Sequence, residues 1–465
     1  MGKKSTIRRT SCIVALVMFI ALLASGCAGN SETAGQPAVT AGGGTAAPAA
    51  STEAPSDAKD AVLTVWLPKT FSANADAMLK ERVLAFKEQN PAVQEIKVEE
   101  MAATDAYAKW NAAIEAKQTP DITFLHLSAY APFVDMGVLL PLDDVISDLE
   151  KDNGPFVKNY ISSLNINGSN YCIPLYGQTG MLIYRKDLLK KAGFENAPAT
   201  WEELRKVSKA VTDAKNSIYG WGLGYGTADD GEDMQRNILL SFGGGLWTAD
   251  GKPNANTPEN LEAIKFMVDM YKEDKSMPPS VLEWDPSGNN KSYLAGESAM
   301  VMNPLTLYKS LQTPEQKELF DNTGVAATPA GKSGTNPLAS YISLAVFKES
   351  RYQDLSKELL KWVFNLEWYN TYEKENYPVT APAYEQTVKS DIWQQPVGKL
   401  VCDMAASSKP YGYPSTDPKV IVADSKAYTE LLVSKTLQKV ILQNMEPGQA
   451  LAELQTRLAE ILDGK

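Results

Sequence analysis

Short apolar strands alternate with amphipathic helices in the first folded part of this chain, and this alternation restricts the possible fold more than any other feature. Apolar stretches typical of strands occur at residues 62–66, 96–98 and 121–125. Between them, residues 79–86 and 107–114 carry apolar side chains at helical spacing. A βαβαβ order predicts an α/β fold in which helices cover a mostly parallel sheet.

A second set of elements follows, and the chain is long enough for two hydrophobic cores. Thr200 and Glu203 form a capping-box pattern that predicts a helix start, and Pro258 after a threonine predicts another. Apolar periodicity at 355–366 and 451–458 predicts helices towards the end of the chain. With 465 residues, 44% of them hydrophobic, the composition fits a globular protein with two domains.

The charge and the histidine content exclude several classes of function. The formal net charge is −11, and no cluster of Lys and Arg follows the first nine residues, so we exclude nucleic acid as the main partner. His126 is the single histidine, and triad mechanisms and most catalytic zinc sites would have to be built around it. We therefore expect no enzymatic activity, no metal and no cofactor. His126 itself is either a packed side chain or part of a ligand cleft at a strand end.

The N-terminal segment has the features of an export signal. Basic residues precede an apolar run at 13–23, which is too short to span a bilayer and ends in small residues before Cys27. This ending resembles the lipobox of bacterial lipoproteins. The resemblance implies a signal peptide at 1–27, lipid on Cys27 and a location at the extracellular face of the cell membrane. Residues 28–60, rich in Ala, Gly, Ser, Thr and Pro, predict a disordered linker. The alternative is an ordinary secreted protein.

Two cysteines remain in the predicted folded region, Cys172 and Cys402. In an oxidising compartment they could form a disulfide, or they could be two buried thiols that pack as small hydrophobic groups.

Several motifs occur in an order that resembles family 1 extracellular solute-binding proteins, the sugar-binding components of ABC importers. The matching segments are Asn90-Pro91, Pro120-Asp121-Ile122 and residues 137–144, 184–188, 198–204, 243–245, 250–252 and 294–300. Each motif alone is weak, but the ordered set covers roughly residues 61–465. The sequence departs from the family at Arg185, where relatives often have Asn, and after Asn303-Pro304, where relatives have an aromatic residue. The second departure leaves the identity of the ligand open.

The resemblance implies a two-lobed, type II periplasmic-binding-protein fold with a cleft between the lobes. The first lobe would comprise 61–173 and 331–377, and the second 177–328 and 380–465. It also implies a monomer that captures a carbohydrate, in particular an oligosaccharide, by lobe closure and delivers it to the permease subunits of an ABC transporter, while tethered to the membrane through its lipid.

A sugar offers hydroxyl groups to polar side chains and ring faces to aromatic ones, so position selects the candidates. The candidates on the first lobe, on the segments where the chain crosses between the lobes, and on the second lobe with its loops are Trp66, His126, Ser128, Tyr176, Gln178, Tyr225, Glu232, Asp233, Trp247, Trp284, Asn303, Tyr341, Tyr411 and Tyr413. Each of these side chains could instead be ordinary packing or surface.

Two other functions stay open. The ligand could be a different solute, such as a polyamine, a peptide or a phosphodiester, and an acidic cleft around Glu232 and Asp233 would favour a cation. The chain could also be a secreted glycosidase that uses two carboxylates, although no motif marks such a pair.

Overall fold

The computed structural model describes residues 60–70, 72–410, 415 and 417–465. The predicted signal peptide, Cys27, and the predicted linker up to residue 59 lie outside the described residues, as do Tyr411 and Tyr413. Among the described residues, no helix combines the length and the apolar character that crossing a membrane requires.

The strands are named β1 to β12 in chain order. Their bounds are Ala61–Pro68, Val93–Met101, Ile122–His126, Asn165–Ile166, Ser169–Asn170, Ile173–Thr179, Met181–Arg185, Met300–Asn303, Thr323–Ala326, Leu338–Val346, Ala381–Pro382 and Lys409–Pro410.

The α-helices are named α1 to α19 in the same way. Their bounds are Ala73–Gln89, Ala103–Ala116, Leu127–Asp135, Asp143–Asn153, Lys158–Ser163, Lys186–Lys191, Trp201–Val211, Asp229–Ser241, Pro258–Lys272, Gly288–Leu294, Thr306–Ser310, Lys317–Asn322, Gln353–Val363, Leu366–Asn376, Glu385–Val388, Pro396–Ser407, Pro418–Thr429, Leu432–Leu442 and Pro447–Leu462.

The larger sheet has the strand order β11-β6-β10-β3-β1-β2, and β12 pairs with the start of β10. The first three strands of the chain that join it, β1, β2 and β3, are parallel, as the βαβαβ pattern predicts. Strand β10 runs antiparallel between β3 and β6, although more than 150 residues separate it from either in sequence. The sheet is therefore completed by a strand that no local pattern connects to it.

The second sheet has the order β8-β7-β9, and both of its pairings are antiparallel. Side chains of β7 alternate between two hydrophobic cores, because successive residues of a strand point to opposite faces. Ile183 belongs to the first core, which is built on the larger sheet, and Leu182 belongs to the second. The second core is otherwise formed mainly by α7, α8, α9, α18 and α19. The chain is thus an α/β protein with two cores, as predicted from the sequence.

Two predicted helix starts are confirmed at atomic detail. Thr200 Oγ1 accepts a hydrogen bond from the Glu203 amide at 3.1 Å, and Glu203 Oε2 accepts one from the Ala199 amide at 2.8 Å. Pro258 is the first residue of α9, where its missing N–H leaves no hydrogen bond unmade.

The C-terminal part of the chain packs with both cores and not with the second alone. The sequence-based division assigns residues 380–465 to the second lobe, whereas β11 and β12 pair within the larger sheet. Val401 and Cys402 of α16 likewise pack in the first core. Helix α17 then contacts both cores, because Ile421 packs in the first and Ala423 in the second. Backbone pairing across the sheet determines this arrangement, and the local sequence does not encode it.

Cys172 and Cys402 are both buried and both free. Burial raises the pKa of each thiol to about 12, so they pack as neutral, small hydrophobic groups.

Candidate functional site

One edge of the larger sheet gathers the ends of several strands. Strands β1, β3 and β6 end there, and the antiparallel β10 begins there, because the register pairs Ile342 with His126 and Ala339 with Thr179. Open α/β sheets bind ligands outside the carboxyl ends of their strands. Two cavities open at this edge, and side chains of the first core line both of them. Cavity walls also come from α8, a helix that packs in the second core.

The first cavity, called cavity 1, has a volume of about 360 Å³. Polar side chains predominate in its wall, which comprises Thr70, Ser72, Tyr176, Gln178, Asn290, Leu294, Thr306, Leu307, Lys309, Ser310, Asn376, Val379 and Thr380. A volume of this size and a wall with many hydrogen-bonding groups fit a small polar molecule.

Buried carboxyl groups hold two of the hydroxyls in cavity 1. Thr70 donates its hydroxyl proton to Asp76 Oδ1 at 2.5 Å, and Thr380 donates to Glu373 Oε2 at 2.8 Å. A hydroxyl that already donates keeps its lone pairs for a ligand, so these two threonines are placed as acceptors. Lys309 donates to the carbonyl oxygen of Glu375 and brings a cation to the same wall.

The second cavity, called cavity 2, has a volume of about 440 Å³. Its wall combines aromatic, hydroxyl and acidic side chains, namely Tyr107, Trp110, His126, Leu127, Ser128, Thr227, Ala228, Asp229, Asp233, Pro286, Ser340, Tyr428, Thr429 and Leu431. The first core supplies the aromatic side, and α8 supplies the acidic side.

The aromatic side of cavity 2 is rigid. Trp110 is 1% exposed, and its indole N–H donates to Thr123 Oγ1 at 2.8 Å. The His126 ring lies 6.3 Å from the Trp110 ring and 5.8 Å from the Phe124 ring. Burial lowers the pKa of His126 to about 4, so the imidazole is neutral at physiological pH. A neutral imidazole can donate one hydrogen bond and accept another.

The acidic side of cavity 2 comes from the first turns of α8. Burial, followed by the nearby charge of Asp229, raises the pKa of Asp233 to about 7. Burial and the charges of Asp233 and Asp229 also raise the pKa of Asp230 well above its usual value. Asp230 accepts a hydrogen bond from Asn289 at 2.8 Å. Carboxyl groups with raised pKa values in a cavity are candidates for ligand contact.

A buried ion cluster supports this wall from behind. Arg236 is paired with Glu232 at 2.8 Å and with Asp424 at 3.1 Å, and all three side chains are at most 2% exposed. Glu232 also accepts from the Ser434 amide at 2.8 Å, so the cluster joins α8, α17 and α18. The guanidinium carbon lies 5.4 Å from the centre of the Tyr428 ring, which lines cavity 2.

We expect Asp233→Asn to stabilise the protein increasingly as the pH rises from 4 to 7. The folded-state pKa of Asp233 lies above its unfolded value, so its contribution to stability is fully present below about pH 4 and is lost as the pH rises through about 7. Asparagine does not ionise in this pH range. The difference in melting temperature between the variant and the wild type should therefore grow between pH 4 and pH 7 and then level off.

The matched control for this comparison is Asp135→Asn, which changes an exposed aspartate at the end of α3. It should show no comparable growth between pH 4 and pH 7. Besides Asp229, the charged and titratable groups near Asp233 are Glu232, Arg236 and Tyr428. A constant difference for Asp233→Asn would contradict the assigned pKa.

The structure brings five of the sequence-predicted residues to the cavities. Tyr176 and Gln178 line cavity 1, and His126, Ser128 and Asp233 line cavity 2.

Other sequence-predicted residues lie inside the second core. The Tyr225 hydroxyl donates to the Met267 carbonyl oxygen at 3.1 Å, and the Trp247 indole donates to Asp424 at 2.7 Å. Glu232 is fully buried in the ion cluster. The polar atoms of these side chains are therefore occupied within the protein, away from both cavities.

The four remaining predicted residues that the structure describes lie outside the walls of both cavities. Trp66 packs against the first core with the Lys109 ammonium 4.6 Å above its ring. Asn303 is buried one layer behind cavity 1 and donates to Asn290. Tyr341 is buried against Tyr160, and Trp284 is partly exposed, with its indole N–H bonded to Ser280.

Sequence reasoning missed most of the small polar residues of the site. Thr70 and Ser72 follow β1, so the rule that placed His126 at a strand end could have found them. Thr306, Ser310 and Thr380 belong to no motif, and nothing in the sequence distinguishes them from surface residues. Across the described residues, no group of three or more His, Cys, Asp or Glu side chains is arranged to hold a metal ion.

Known proteins share sequence and fold with this chain. The family model of bacterial extracellular solute-binding proteins matches residues 66–369. A binding protein of Brucella abortus (strain 2308) is 25% identical over 304 residues, which cover 64% of this chain and 71% of that protein. The arabinooligosaccharide-binding protein of Bacillus subtilis (strain 168) is 24% identical over 367 residues, which cover 76% of this chain and 75% of that protein.

A solved structure shows the same fold. An ABC transporter solute-binding protein from Thermotoga lettingae TMO, bound with alpha-D-tagatose, superposes with a TM-score of 0.74 at 21% identity. The match covers 86% of this chain and 99% of that chain.

Proposed function

Because this chain belongs to the bacterial extracellular solute-binding proteins, we propose that it captures an oligosaccharide in cavities 1 and 2 and delivers it to an ABC permease. The fold is the type II periplasmic-binding-protein fold that the sequence resemblance implied. The observation that carries the proposal is that cavity 2 lies between Trp110 and Leu127 of the first core and Asp229 and Asp233 of α8. Met234 and Ile238 of the same helix pack in the second core, so one ligand in cavity 2 would contact elements of both halves of the protein.

The chemistry of the two cavities suits a sugar chain. Cavity 1 offers hydroxyl and amide groups, which exchange hydrogen bonds with sugar hydroxyls. Cavity 2 adds Tyr107, Trp110 and Tyr428, against which the C–H faces of a sugar ring can pack. Asp229 and Asp233 would accept from hydroxyls at the same end. The relative from Bacillus subtilis is an arabinooligosaccharide-binding protein, which supports the same class of ligand.

Closure of the two cores on the ligand would be the signal to the transporter. The chain passes between the two sheets at Gly180, between β6 and β7, and again between β9 and β10. Rotation about such segments is a known transition of periplasmic binding proteins. A ligand that contacts both cores binds the closed form more tightly than the open form, and it shifts the population by that difference.

The proposal includes the location of the protein. The resemblance of residues 24–27 to a lipobox supports lipid attachment at Cys27, which would hold a monomer at the extracellular face of the cell membrane near the permease. We propose a binding role without catalysis, since the relatives described above are binding proteins.

A thermal-shift screen against neutral mono- and oligosaccharides tests the function. A ligand at a hundredfold excess over its Kd stabilises the native state by about 2.7 kcal/mol, which raises the melting temperature of a folded region of about 400 residues by roughly 3 °C. We expect at least one oligosaccharide to give such a shift in the wild-type protein.

Two glutamine variants serve as a matched pair in the same screen. Gln178→Ala removes a side chain of cavity 1 and should reduce the shift, whereas Gln394→Ala removes an exposed glutamine elsewhere and should not. A shift with spermidine and with no sugar would instead identify a polyamine-binding protein. Hydrolysis of the sugars during the assay would identify a glycosidase.

A further inference from the structure

A carboxyl group lies buried behind the wall of cavity 1. Glu373 on α14 is 0% exposed, and its Oε2 accepts the hydrogen bond from the Thr380 hydroxyl at 2.8 Å. Thr380 is the residue between this carboxyl group and the cavity, since it also lines cavity 1. The other carboxyl oxygen, Oε1, has no hydrogen-bond partner among the described residues.

Among the described residues, no cationic side chain forms an ion pair with Glu373. The titratable groups facing it from the elements packed around it, including its own helix, are Tyr160, Tyr176, Tyr369, Tyr372 and Cys402. Asp76 of α1 lies near two of these tyrosines. An ionised carboxylate here would be buried without a cation and with one oxygen unbonded, which is strongly unfavourable.

Glu373 is therefore uncharged in the folded protein at neutral pH. Burial is the main cause that raises its pKa, to about 8, and the Thr380 hydrogen bond opposes this rise. The group changes its charge in a pH range where most glutamates are already ionised.

We propose that Glu373 is a positioning residue of cavity 1, which acts through Thr380 and holds the wall in its ligand-binding geometry only while uncharged. This inference rests on the proposed function, because it assumes that cavity 1 takes part of an oligosaccharide. Through this role, Glu373 makes the affinity of cavity 1 for its ligand depend on pH, although Glu373 does not contact the ligand.

The link to affinity follows from solvation. An ionised Glu373 needs water or a hydroxyl at its free oxygen, and cavity 1 is the space to which the carboxyl group is joined through Thr380. A sugar in cavity 1 displaces that water, so the ionised form of the protein binds the sugar less well. Affinity should therefore fall as the pH rises through about 8.

The test measures the Kd of the sugar found in the screen at pH 7 and pH 9, by calorimetry, for wild type and Glu373→Gln. Glutamine is neutral and similar in shape, so the variant should keep the wild-type affinity within about twofold at pH 7. If only the uncharged form binds, wild type should bind about tenfold more weakly than Glu373→Gln at pH 9. Asp233 titrates near pH 7 in both proteins, and the comparison between them removes its contribution.

Two further variants separate positioning from a general structural effect. Glu375→Gln makes the same chemical change two residues away, where the side chain bonds to Asn74, and should follow the wild-type profile. Thr380→Val removes the hydroxyl and should weaken binding at both pH values. A structural role alone would change the melting temperature of Glu373→Gln without changing the ratio of affinities between pH 7 and pH 9.

A measurement without ligand completes the test. In protein labelled with ¹³C at glutamate Cδ, the resonance absent from Glu373→Gln should titrate near pH 8. Titration near pH 4 to 5, or a sugar that binds wild type and Glu373→Gln with the same pH profile, would overturn the inference and leave the proposed function intact. Failure of every sugar to bind would instead overturn the proposed function, and the positioning role with it.

Discussion

Arg236→Ala should lower the free energy of unfolding by about 3–5 kcal/mol. The substitution leaves Glu232 and Asp424 as buried carboxylates without their cation, and neither is more than 1% exposed. Urea denaturation followed by fluorescence measures the loss, with the midpoint and the slope fitted together. The wall of cavity 2 should also lose its ordered structure, because Asp233 and Tyr428 lie against the same ion cluster.

The matched control is Arg457→Ala on α19. Arg457 pairs with Glu430 and Glu460, but these side chains are about one-third to one-half exposed. Water screens an exposed ion pair, which therefore contributes little, so this variant should unfold close to the wild type. Equal losses in the two variants would contradict the importance that we give to burial.

A third variant keeps the test valid if Arg236→Ala does not fold. The combination of Arg236→Met, Glu232→Gln and Asp424→Asn removes all three charges together, and such replacements of buried ion clusters are often neutral or stabilising. We expect it to recover most of the lost stability. A triple variant as unstable as Arg236→Ala would show that packing of the arginine, rather than its charge, holds the helices together.

Trp110→Ala should cost about 3–5 kcal/mol of stability and should also abolish sugar binding. The indole is 1% exposed, packs edge-on against Phe124 and Phe133, and donates a hydrogen bond to Thr123. Its removal leaves a cavity in the first core and opens the wall of cavity 2. Denaturation gives the first effect, and the thermal-shift assay on the folded fraction gives the second.

Trp284→Ala provides the comparison for this variant. Trp284 is partly exposed, lies outside cavities 1 and 2, and bonds to Ser280 on its own short segment. Its loss should cost about 1 kcal/mol and leave sugar binding unchanged. If both tryptophan variants lost sugar binding, the ligand would lie nearer to Trp284 than we propose.

The position of the site could be predicted from the sequence better than its residues could. The end of the third predicted strand led to His126 and Ser128, because strand ends collect at one edge of a sheet. Glu232 and Asp233, which are adjacent on α8, show why the individual residues of the site were harder to predict. Successive helical residues point about 100° apart, so Asp233 faces cavity 2 while Glu232 faces the core. The position of Arg236 in the fold decides that Glu232 forms the buried ion pair.

Long-range pairing limited the prediction of the lobes in the same way. Residues 381–410 have the composition of ordinary loops and helices, and their place in the first core depends on backbone bonds from β11 to β6 and from β12 to β10. Tyr225 and Trp247 carry polar atoms that resemble ligand contacts in the sequence. In the structure those atoms bond to Met267 and Asp424, which lie far away in the chain.

The central position of β10 has a consequence for the biogenesis of the protein. Strands β3 and β6 cannot be joined until residues 338–346 have left the ribosome, so the larger sheet cannot assemble while the N-terminal half alone has been synthesised. Contacts of such long sequence separation are associated with slow folding. A nascent chain of this protein should therefore stay unfolded for longer than one with a locally paired sheet.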